Sequence, residues 1–221
     1  MDFESFSQCL NYVQLSSQSK TLLDKILPVA GALLGTVLGF ALNYGTGRIK
    51  ESKSTSNKIM CIGEDIEVIN HALNEAAKEC ARLISLLIKG ERLAGNRLPG
   101  SISGLCIDSY FIDVAHKYSR NQRYWIQLIL ERLKEVNIKL SGWDGGLTAY
   151  EKSAALLNMI SISVETARLC KMSQLGSYID HFDIIPYLEL IGTEGPHIAA
   201  CDLAMRNLRE ENTVLGLYGN T

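Results

Sequence analysis

Residues 26–44, ILPVAGALLGTVLGFALNY, decide how this chain of 221 residues is interpreted. No charged residue occurs between Lys25 and Arg48, a gap of 22 residues. At about 1.5 Å of rise per residue, a helix of that length spans roughly 33 Å, and the hydrocarbon core of a bilayer is about 30 Å thick. The stretch therefore predicts a transmembrane helix within residues 21–47.

Three glycines recur at every fourth position of this stretch, at Gly31, Gly35 and Gly39. Residues spaced in this way line one narrow stripe of a helix, and glycine lets two helix backbones approach closely. Each glycine also lowers helix propensity by about 1 kcal/mol relative to alanine. The stripe therefore predicts an oligomerisation seam between copies of the chain, although glycine is also simply common in membrane helices.

The charges on either side of the apolar stretch indicate its orientation. The residues before it include Asp2, Glu4 and Asp24, which is not the pattern of a cleaved signal peptide. Two basic residues precede the stretch and four follow it: Lys20 and Lys25, then Arg48, Lys50, Lys53 and Lys58. The positive-inside rule then predicts a single-pass protein of the inner (cytoplasmic) membrane, with its carboxyl-terminal domain in the cytoplasm.

The cysteines agree with a reducing compartment. None of the six forms a CxxC pair, and most fall on apolar faces of predicted helices: Cys9, Cys61, Cys80, Cys106, Cys170 and Cys201. Scattered cysteines on apolar faces are typical of buried free thiols. Free thiols in turn are typical of the cytoplasm.

Two shorter segments flank the predicted span. Residues 1–20 carry apolar residues at 3-4-3 spacing, which predicts an amphipathic segment for the membrane interface or a neighbouring subunit, with a partly ordered tail as the alternative. Residues 48–58, RIKESKSTSNK, are basic and polar and predict a juxtamembrane linker or the start of a long helix. Residues 59–221 form the predicted cytosolic helical bundle.

The strongest periodic pattern in the chain begins at Ile59. Apolar residues step by 3 and 4 without a miss: Ile59, Ile62, Ile66, Ile69, Leu73, Ala76, Cys80, Leu83 and Leu87. Such a stripe predicts an amphipathic helix of roughly 30 residues, with a face suited to a bundle or a coiled coil.

Helical patterns account for the rest of the domain. Long helices are predicted over about 105–140, 147–172 and 197–211, with Pro196 suited to the first turn of the last one. The segment HFDIIPYLELI predicts a short helix interrupted at Pro186. With almost no alternating β pattern, the sequence predicts an all-α protein: one amino-terminal transmembrane helix followed by an antiparallel bundle of about four long helices.

The sequence carries no recognisable catalytic signature and predicts no cofactor. The glycines of GALLGTVLG are not followed by Lys-Ser or Lys-Thr, which excludes a phosphate-binding loop of the usual kind. His197 and Cys201 share a helical face, but a metal site needs three or four ligands. The net charge of −2 gives no overall field that would favour nucleic acid or acidic substrates.

A basic and aromatic run, residues 116–125, is the best candidate for contact with RNA or with a cytosolic partner protein. It contains His116, Lys117, Arg120 and Arg123 among Tyr118, Tyr124 and Trp125. Basic and aromatic side chains can together hold phosphates and stack on bases. Tyr118 and Trp125 nevertheless fall on the predicted buried stripe, which favours an ordinary solvated or interface-facing basic surface.

The layout of one apolar helix, ILPVAGALLGTVLGFAL, followed by a helical bundle resembles small bacterial membrane effectors and accessory proteins of antiphage defence. One such group is the membrane accessory proteins of RNA-targeting CRISPR systems, which form oligomeric pores with a degenerate HEPN-like bundle. The resemblance implies a homo-oligomeric membrane pore and transfers no functional residue. Nucleases of the HEPN type carry Arg followed after four to six residues by His, and here Arg168 and His181 are too far apart for that motif.

Three functional hypotheses remain open at this point. The first is a homo-oligomeric membrane protein, with the lipid bilayer and copies of itself as partners, that forms a pore or depolarises the membrane under the control of its cytosolic domain. The second is a membrane-tethered HEPN-like module that binds or cleaves RNA. The third is a soluble all-α interaction domain in which Ile26–Tyr44 is the buried central helix. The missing catalytic signature favours a protein that is not an enzyme.

Overall fold

The computed structural model describes residues 7–8, 22–93, 95–142 and 148–214, of which 22–30 and 212–214 are described only as helical backbone. Within these ranges every regular element is helical, which confirms the predicted all-α class. The elements are α1 (Leu22–Ile88), α2 (Leu105–Val114), a 3-10 helix (Ala115–Lys117), α3 (Arg120–Gly142), α4 (Ala149–Leu175), α5 (Ile184–Leu190) and α6 (Gly195–Val214). The chain divides into two compact units, residues 1–57 and 58–221.

The first unit contains the amino-terminal part of α1. The predicted amphipathic segment, residues 1–20, lies outside the described residues apart from Ser7 and Gln8, which are helical and exposed. The predicted linker at 48–58 is helical throughout, as the alternative of a long helix requires. Residues 48–58 contain neither glycine nor proline, so nothing in their sequence ends the helix.

The predicted transmembrane segment, residues 21–47, is helical from Leu22 onward. Thr21 and the side chains of residues 22–30 lie outside the part of the chain that is described, so the described side chains of this segment begin at Gly31. Among the described residues, no helix is both long enough and apolar enough to cross a membrane.

The second unit is built around one hydrophobic core. Seven of the nine residues in the predicted stripe of α1 are buried, and the two end residues, Ile59 and Leu87, are half-buried, which confirms the amphipathic helix. Each other helix contributes to the same core, for example through Ile107, Ile129, Ile160, Leu188 and Cys201. Burying a Leu or Ile side chain stabilises a fold by about 1.5–3 kcal/mol.

The predicted single helix over about 105–140 is wrong, because the chain breaks between α2 and α3. The 3-10 helix and the extended residue Tyr118 separate the two. Ser119 explains the break: its hydroxyl accepts a hydrogen bond from the Gln122 amide at 3.2 Å, and the Gln122 side chain accepts one from the Ser119 amide at 3.1 Å. This reciprocal capping box starts a new helix at Arg120.

The amino terminus of α2 is held by a carboxylate of α1. Asp65 Oδ2 accepts hydrogen bonds from the amides of Cys106 and Ile107, at 2.6 and 3.1 Å. Gly104 permits this close approach, since a Cβ atom there would lie 3.0 Å from Ile69 Cδ1. The first turn of α2 therefore has its free N–H groups satisfied by a tertiary contact.

Local signals set the ends of the last three helices. A capping box between Thr148 and Glu151 opens α4, which ends at Gly176 in the left-handed conformation, with φ at 68°. Pro186 is the third residue of α5, so it stands in the first turn, where its missing N–H costs little, and the predicted interruption is wrong. Pro196 is the second residue of α6, which confirms its predicted position in the first turn.

The cysteines agree only in part with the prediction of free thiols. Cys80, Cys170 and Cys201 are buried free thiols, and burial raises the pKa of Cys170 and of Cys201 to about 12. Cys61 and Cys106 instead form a disulfide between α1 and α2, with their Cα atoms 5.8 Å apart, so the prediction is wrong for this pair. Their separation of 45 residues gives no local sign of the pairing. Cys9 lies outside the described residues.

Candidate functional site

The three predicted seam glycines lie on the part of α1 that belongs to the first unit. A Cβ atom placed on Gly31, Gly35 or Gly39 would meet no atom of the described residues within 4 Å. Nothing in the described part of the chain therefore covers the glycine stripe, and a second helix has room to approach it there.

The large apolar side chains around the glycine stripe are exposed as well. Their exposed fractions lie between 60% and 72%: Leu33, Leu34, Val37, Leu38, Phe40, Leu42 and Tyr44. Successive residues of an α-helix are rotated by about 100°, so these side chains cover more than half of its circumference. The hypothesis of a soluble domain requires this segment to be buried, whereas its described residues, 31–44, are almost all exposed.

Two threonine hydroxyls of this part of α1 are satisfied locally. The hydroxyl of Thr36 donates to the Ala32 carbonyl at 2.8 Å, and that of Thr46 donates to the Leu42 carbonyl at 2.9 Å. At the carboxyl end of the segment, the guanidinium of Arg48 lies 4.9 Å from the centre of the Tyr44 ring. The two hydroxyls therefore need no hydrogen bond from water.

The basic and aromatic run does not form one uniform surface. His116, Lys117 and Arg120 are exposed, and so is Tyr124, one helical turn after Arg120. Trp125 is buried and Tyr118 is half-buried, as their positions on the stripe predict.

Arg123 has a structural role that the sequence did not suggest. Its Nη1 donates to the carbonyls of Ala115 and Tyr118, at 3.4 and 3.3 Å. These carbonyls stand at the break between α2 and α3, where the helical hydrogen-bond ladder is interrupted, and basic side chains often satisfy such groups. Three of the four predicted contact residues are thus exposed, while Arg123 stabilises the break.

A cluster on α4 joins residues that are distant in the sequence. The Glu165 carboxylate contacts His181 Nδ1 through Oε1, and it accepts hydrogen bonds from Arg168 Nε and Nη2 through Oε2, at 3.2 and 3.0 Å. Arg168 is buried, and its Nη1 donates to the Ile179 carbonyl at 2.8 Å. The 12 residues between Arg168 and His181 exclude the Arg-His motif in the sequence, yet one carboxylate binds both side chains.

The cluster has the geometry of an oriented histidine. A carboxylate on Nδ1 fixes the imidazole and leaves Nε2 of the exposed His181 ready to accept a proton or a ligand. Within the described part of the chain, no group of three or more His, Cys, Asp or Glu side chains is placed to hold a metal ion. The Glu165–Arg168 pair could have been found from its i, i+3 spacing, but His181 lies in a loop whose path the sequence does not reveal.

Comparisons with known proteins give no match. No family model, no curated protein and no solved structure matches the chain. The support for a function therefore comes from the chemistry of the exposed apolar segment, the basic run and the Glu165 cluster.

Proposed function

We propose that this chain is a homo-oligomeric membrane protein, anchored by the apolar segment of α1 and assembled along its glycine stripe. The exposure of residues 31–44 carries the proposal, because seven large apolar side chains there are at least 60% exposed. Leaving such a side chain in water rather than burying it costs about 1.5–3 kcal/mol. Contiguous apolar surfaces of this kind mark interfaces with membranes or with other proteins.

The length and the polar contacts of the segment support a bilayer as its environment. Residues 26–30 extend the apolar sequence, and the 19 residues 26–44 would span about 28 Å as a helix, close to a hydrocarbon core of about 30 Å. Thr36 and Thr46 satisfy their hydroxyls within the helix, as the absence of water in a bilayer requires. Tyr and Arg, here Tyr44 and Arg48, are residue types that favour the membrane interface.

The glycine stripe supports self-association within the membrane. Helices in lipid associate mainly through close packing, which small residues at four-residue spacing allow. The open stripe of Gly31, Gly35 and Gly39 offers such a surface. A ring of these helices around a pore, controlled by the second unit, is the most specific form of the proposal.

The side of the membrane on which the second unit lies is a separate part of the proposal. The excess of basic residues after the segment favours the cytoplasm. The Cys61–Cys106 disulfide favours an oxidising compartment instead. Protease protection in spheroplasts distinguishes the two, since only a periplasmic unit is digested from outside.

Membrane extraction and cross-linking of the full chain test the anchor and the seam. We expect the protein to remain in the membrane pellet after alkaline carbonate extraction and to cross-link as oligomers. Gly35→Leu should reduce the cross-linked species several-fold, whereas Gly63→Leu, at a glycine of the second unit, should leave them unchanged. Release by carbonate would refute the anchor, an unchanged pattern with Gly35→Leu would refute the seam, and oligomers that leave dye-loaded liposomes intact would refute the pore.

A membrane-tethered RNA-binding module is a second candidate. The exposure of His116, Lys117, Arg120 and Tyr124 favours it, since these side chains combine positive charge with a ring for base stacking. Arg120→Glu should then abolish binding of single-stranded RNA in a mobility-shift assay. Wild-type protein that binds no RNA would eliminate this candidate.

A further inference from the structure

A polar cleft of about 210 Å³ opens in the second unit between α1, the loop that follows it and the turn before α6. Lys78, Glu79 and Arg82 line it from α1, where residues three and four apart share one face. Arg97 lines it from the loop. Neither the membrane anchor nor the basic run involves these side chains.

A buried ion pair fixes the loop wall of the cleft. Glu79 is buried and accepts two hydrogen bonds from Arg82, both of 2.7 Å, and one of 2.8 Å from the backbone amide of Arg97. Arg82 also donates to the Gly95 carbonyl at 3.2 Å. Burial opposes ionisation of Glu79, but the hydrogen bonds and charges of the two arginines outweigh it, so the pKa of Glu79 lies below its ordinary value. The backbone of Arg97 is thus held in place while its side chain stays exposed.

The α1 and loop walls offer more hydrogen-bond donors than acceptors. Glu79 is already occupied by three donor hydrogens. Arg82 uses Nε and Nη2 in these contacts, and its two Nη1 hydrogens have no acceptor among the described residues. Lys78 makes one bond, to Glu75 at 2.7 Å, and the guanidinium of Arg97 makes no hydrogen bond within the described part of the chain.

The opposite wall is formed by the turn before α6 and by the first turn of α6. Thr193 lines it, but its Oγ1 is shielded from solvent, so this hydroxyl does not reach a ligand in the cleft. His197 lies on the same wall, with its Nε2 3.9 Å from a carboxylate oxygen of Glu194.

The charges around the cleft favour an anionic ligand. Three carboxylates and three basic side chains line it, but they differ in exposure. The Glu75 and Glu194 side chains are 52% and 77% exposed, so water screens their charges, whereas those of Lys78 and Arg82 are 33% and 31% exposed. The oxygens of Glu79 accept from Arg82 and from the Arg97 amide, and the exposed Arg97 guanidinium, which makes no hydrogen bond to Glu79, can donate to a ligand.

We propose that this cleft binds the phosphate group of a small phosphate ester. Arg97 and Lys78 contact the phosphate oxygens, for which a guanidinium fork and an ammonium group are suited. A single water needs about 10–15 Å³ of such space, so a cleft of about 210 Å³ has room for carbon atoms beyond the phosphate.

Calorimetric titration of the full chain with glycerol 3-phosphate tests the proposal, with glycerol as the uncharged control. Arg97→Gln keeps the backbone bond to Glu79 and should weaken binding at least tenfold, and Lys78→Gln should weaken it as well. Arg92→Gln, an exposed arginine of the same loop outside the cleft, should bind as the wild type does. Unfolding curves recorded for each variant separate lost binding from lost folding.

Vesicles distinguish the two sources of such a phosphate. Binding of glycerol 3-phosphate that Arg97→Gln weakens identifies a soluble ester as sufficient. Binding only to phosphatidic acid vesicles, with the same sensitivity to Arg97→Gln and none to phosphatidylcholine vesicles, identifies a lipid headgroup. The proposal is overturned if the wild type binds neither probe, or if Arg97→Gln and Arg92→Gln bind equally well.

Discussion

Leucine side chains in two parts of the same helix, α1, differ completely in their exposure. Leu38, in the first unit, is 60% exposed, while Leu73, in the second, is 0% exposed. From Ile59 onward apolar residues recur at steps of 3 and 4 between polar ones, so that one stripe faces the core. Before Tyr44 apolar residues follow one another directly, so apolar side chains lie on most sides of the helix and not on one face only. Periodicity, more than apolarity, predicts that the chain itself buries a residue.

The two parts of α1 differ in what covers their apolar side chains. The apolar face of an amphipathic helix packs against other elements of its own domain, as the second part of α1 does in the core. A helix that is apolar over most of its circumference is typically covered by the core of a large protein or by a membrane. The two parts should therefore respond differently to the same substitution, and the size of that difference measures how far each depends on the fold of the single chain.

Paired leucine substitutions should give the largest effect. Leu73→Ala removes a fully buried side chain and leaves a cavity, which should destabilise the second unit by about 2–5 kcal/mol. Leu38→Ala removes an exposed side chain and should change the same unfolding free energy by less than about 0.5 kcal/mol. Urea unfolding of the full chain in mild detergent, followed by circular dichroism, measures both.

Equal effects of the two leucine substitutions would contradict the view that only the second part of α1 is packed within the single chain. A large loss from Leu38→Ala would mean that the apolar segment packs on the second unit in solution. Ile69→Ala repeats the buried case at another position of the stripe, and Leu34→Ala repeats the exposed case.

Replacement of a carboxylate should also destabilise the protein more in the second part of α1 than in the first. The difference should be smaller than for the leucine substitutions. The folded-state pKa of Glu79 is lowered, so its ionised form stabilises the fold above its ordinary pKa of 4.5, and this contribution is lost as the pH falls through the folded-state pKa. Glu79→Gln should cost about 1–3 kcal/mol at pH 7. The cost should fall as the pH is lowered toward 3, because Glu79 of the wild type then becomes protonated and, like Gln, uncharged.

Glu51→Gln is the matched control in the first unit, where the carboxylate is exposed. It should shift the urea midpoint little at either pH. A constant difference between wild type and Glu79→Gln from pH 7 to pH 3 would show that charge does not underlie the Glu79 contacts.

Local signals made much of the fold predictable. The 3-4 spacing identified the core residues of α1, and Pro196 marked the start of α6. The Ser119–Gln122 capping box that divides α2 from α3 is also local, and the continuous apolar stripe through Tyr118 and Trp125 concealed it. A helical period continues across a break whenever both helices bury the same side, so periodicity alone cannot locate such a break.

The contacts of the candidate sites were not predictable in the same way. The Cys61–Cys106 disulfide, the Glu165–His181 contact and the amide of Arg97 on Glu79 all join residues on different elements. Their spacing in the sequence depends on loop paths, which no periodic pattern encodes. The opposite held for Gly31, Gly35 and Gly39, whose regular spacing was visible in the sequence but around which a Cβ atom would meet no described atom within 4 Å.

Glycine substitutions should give the smallest effect and the sharpest comparison. Gly35 and Gly63 stand on the two parts of α1, and a Cβ atom at either would meet nothing within 4 Å. In the single chain both changes to alanine should therefore stabilise the helix by up to about 1 kcal/mol. Gly63→Ala should raise the melting temperature of the second unit by about 2–4 °C and leave the oligomeric state unchanged.

Gly35→Ala should behave differently, because a methyl group on the seam separates two backbones that otherwise touch. The expected result is an unchanged melting temperature of the second unit together with dissociation of the oligomer at a higher protein concentration than for the wild type. Sedimentation in detergent measures the second quantity and circular dichroism the first. If Gly35→Ala and Gly63→Ala both leave the oligomer intact, the stripe is not a seam, and the two parts of α1 then differ only in what surrounds them.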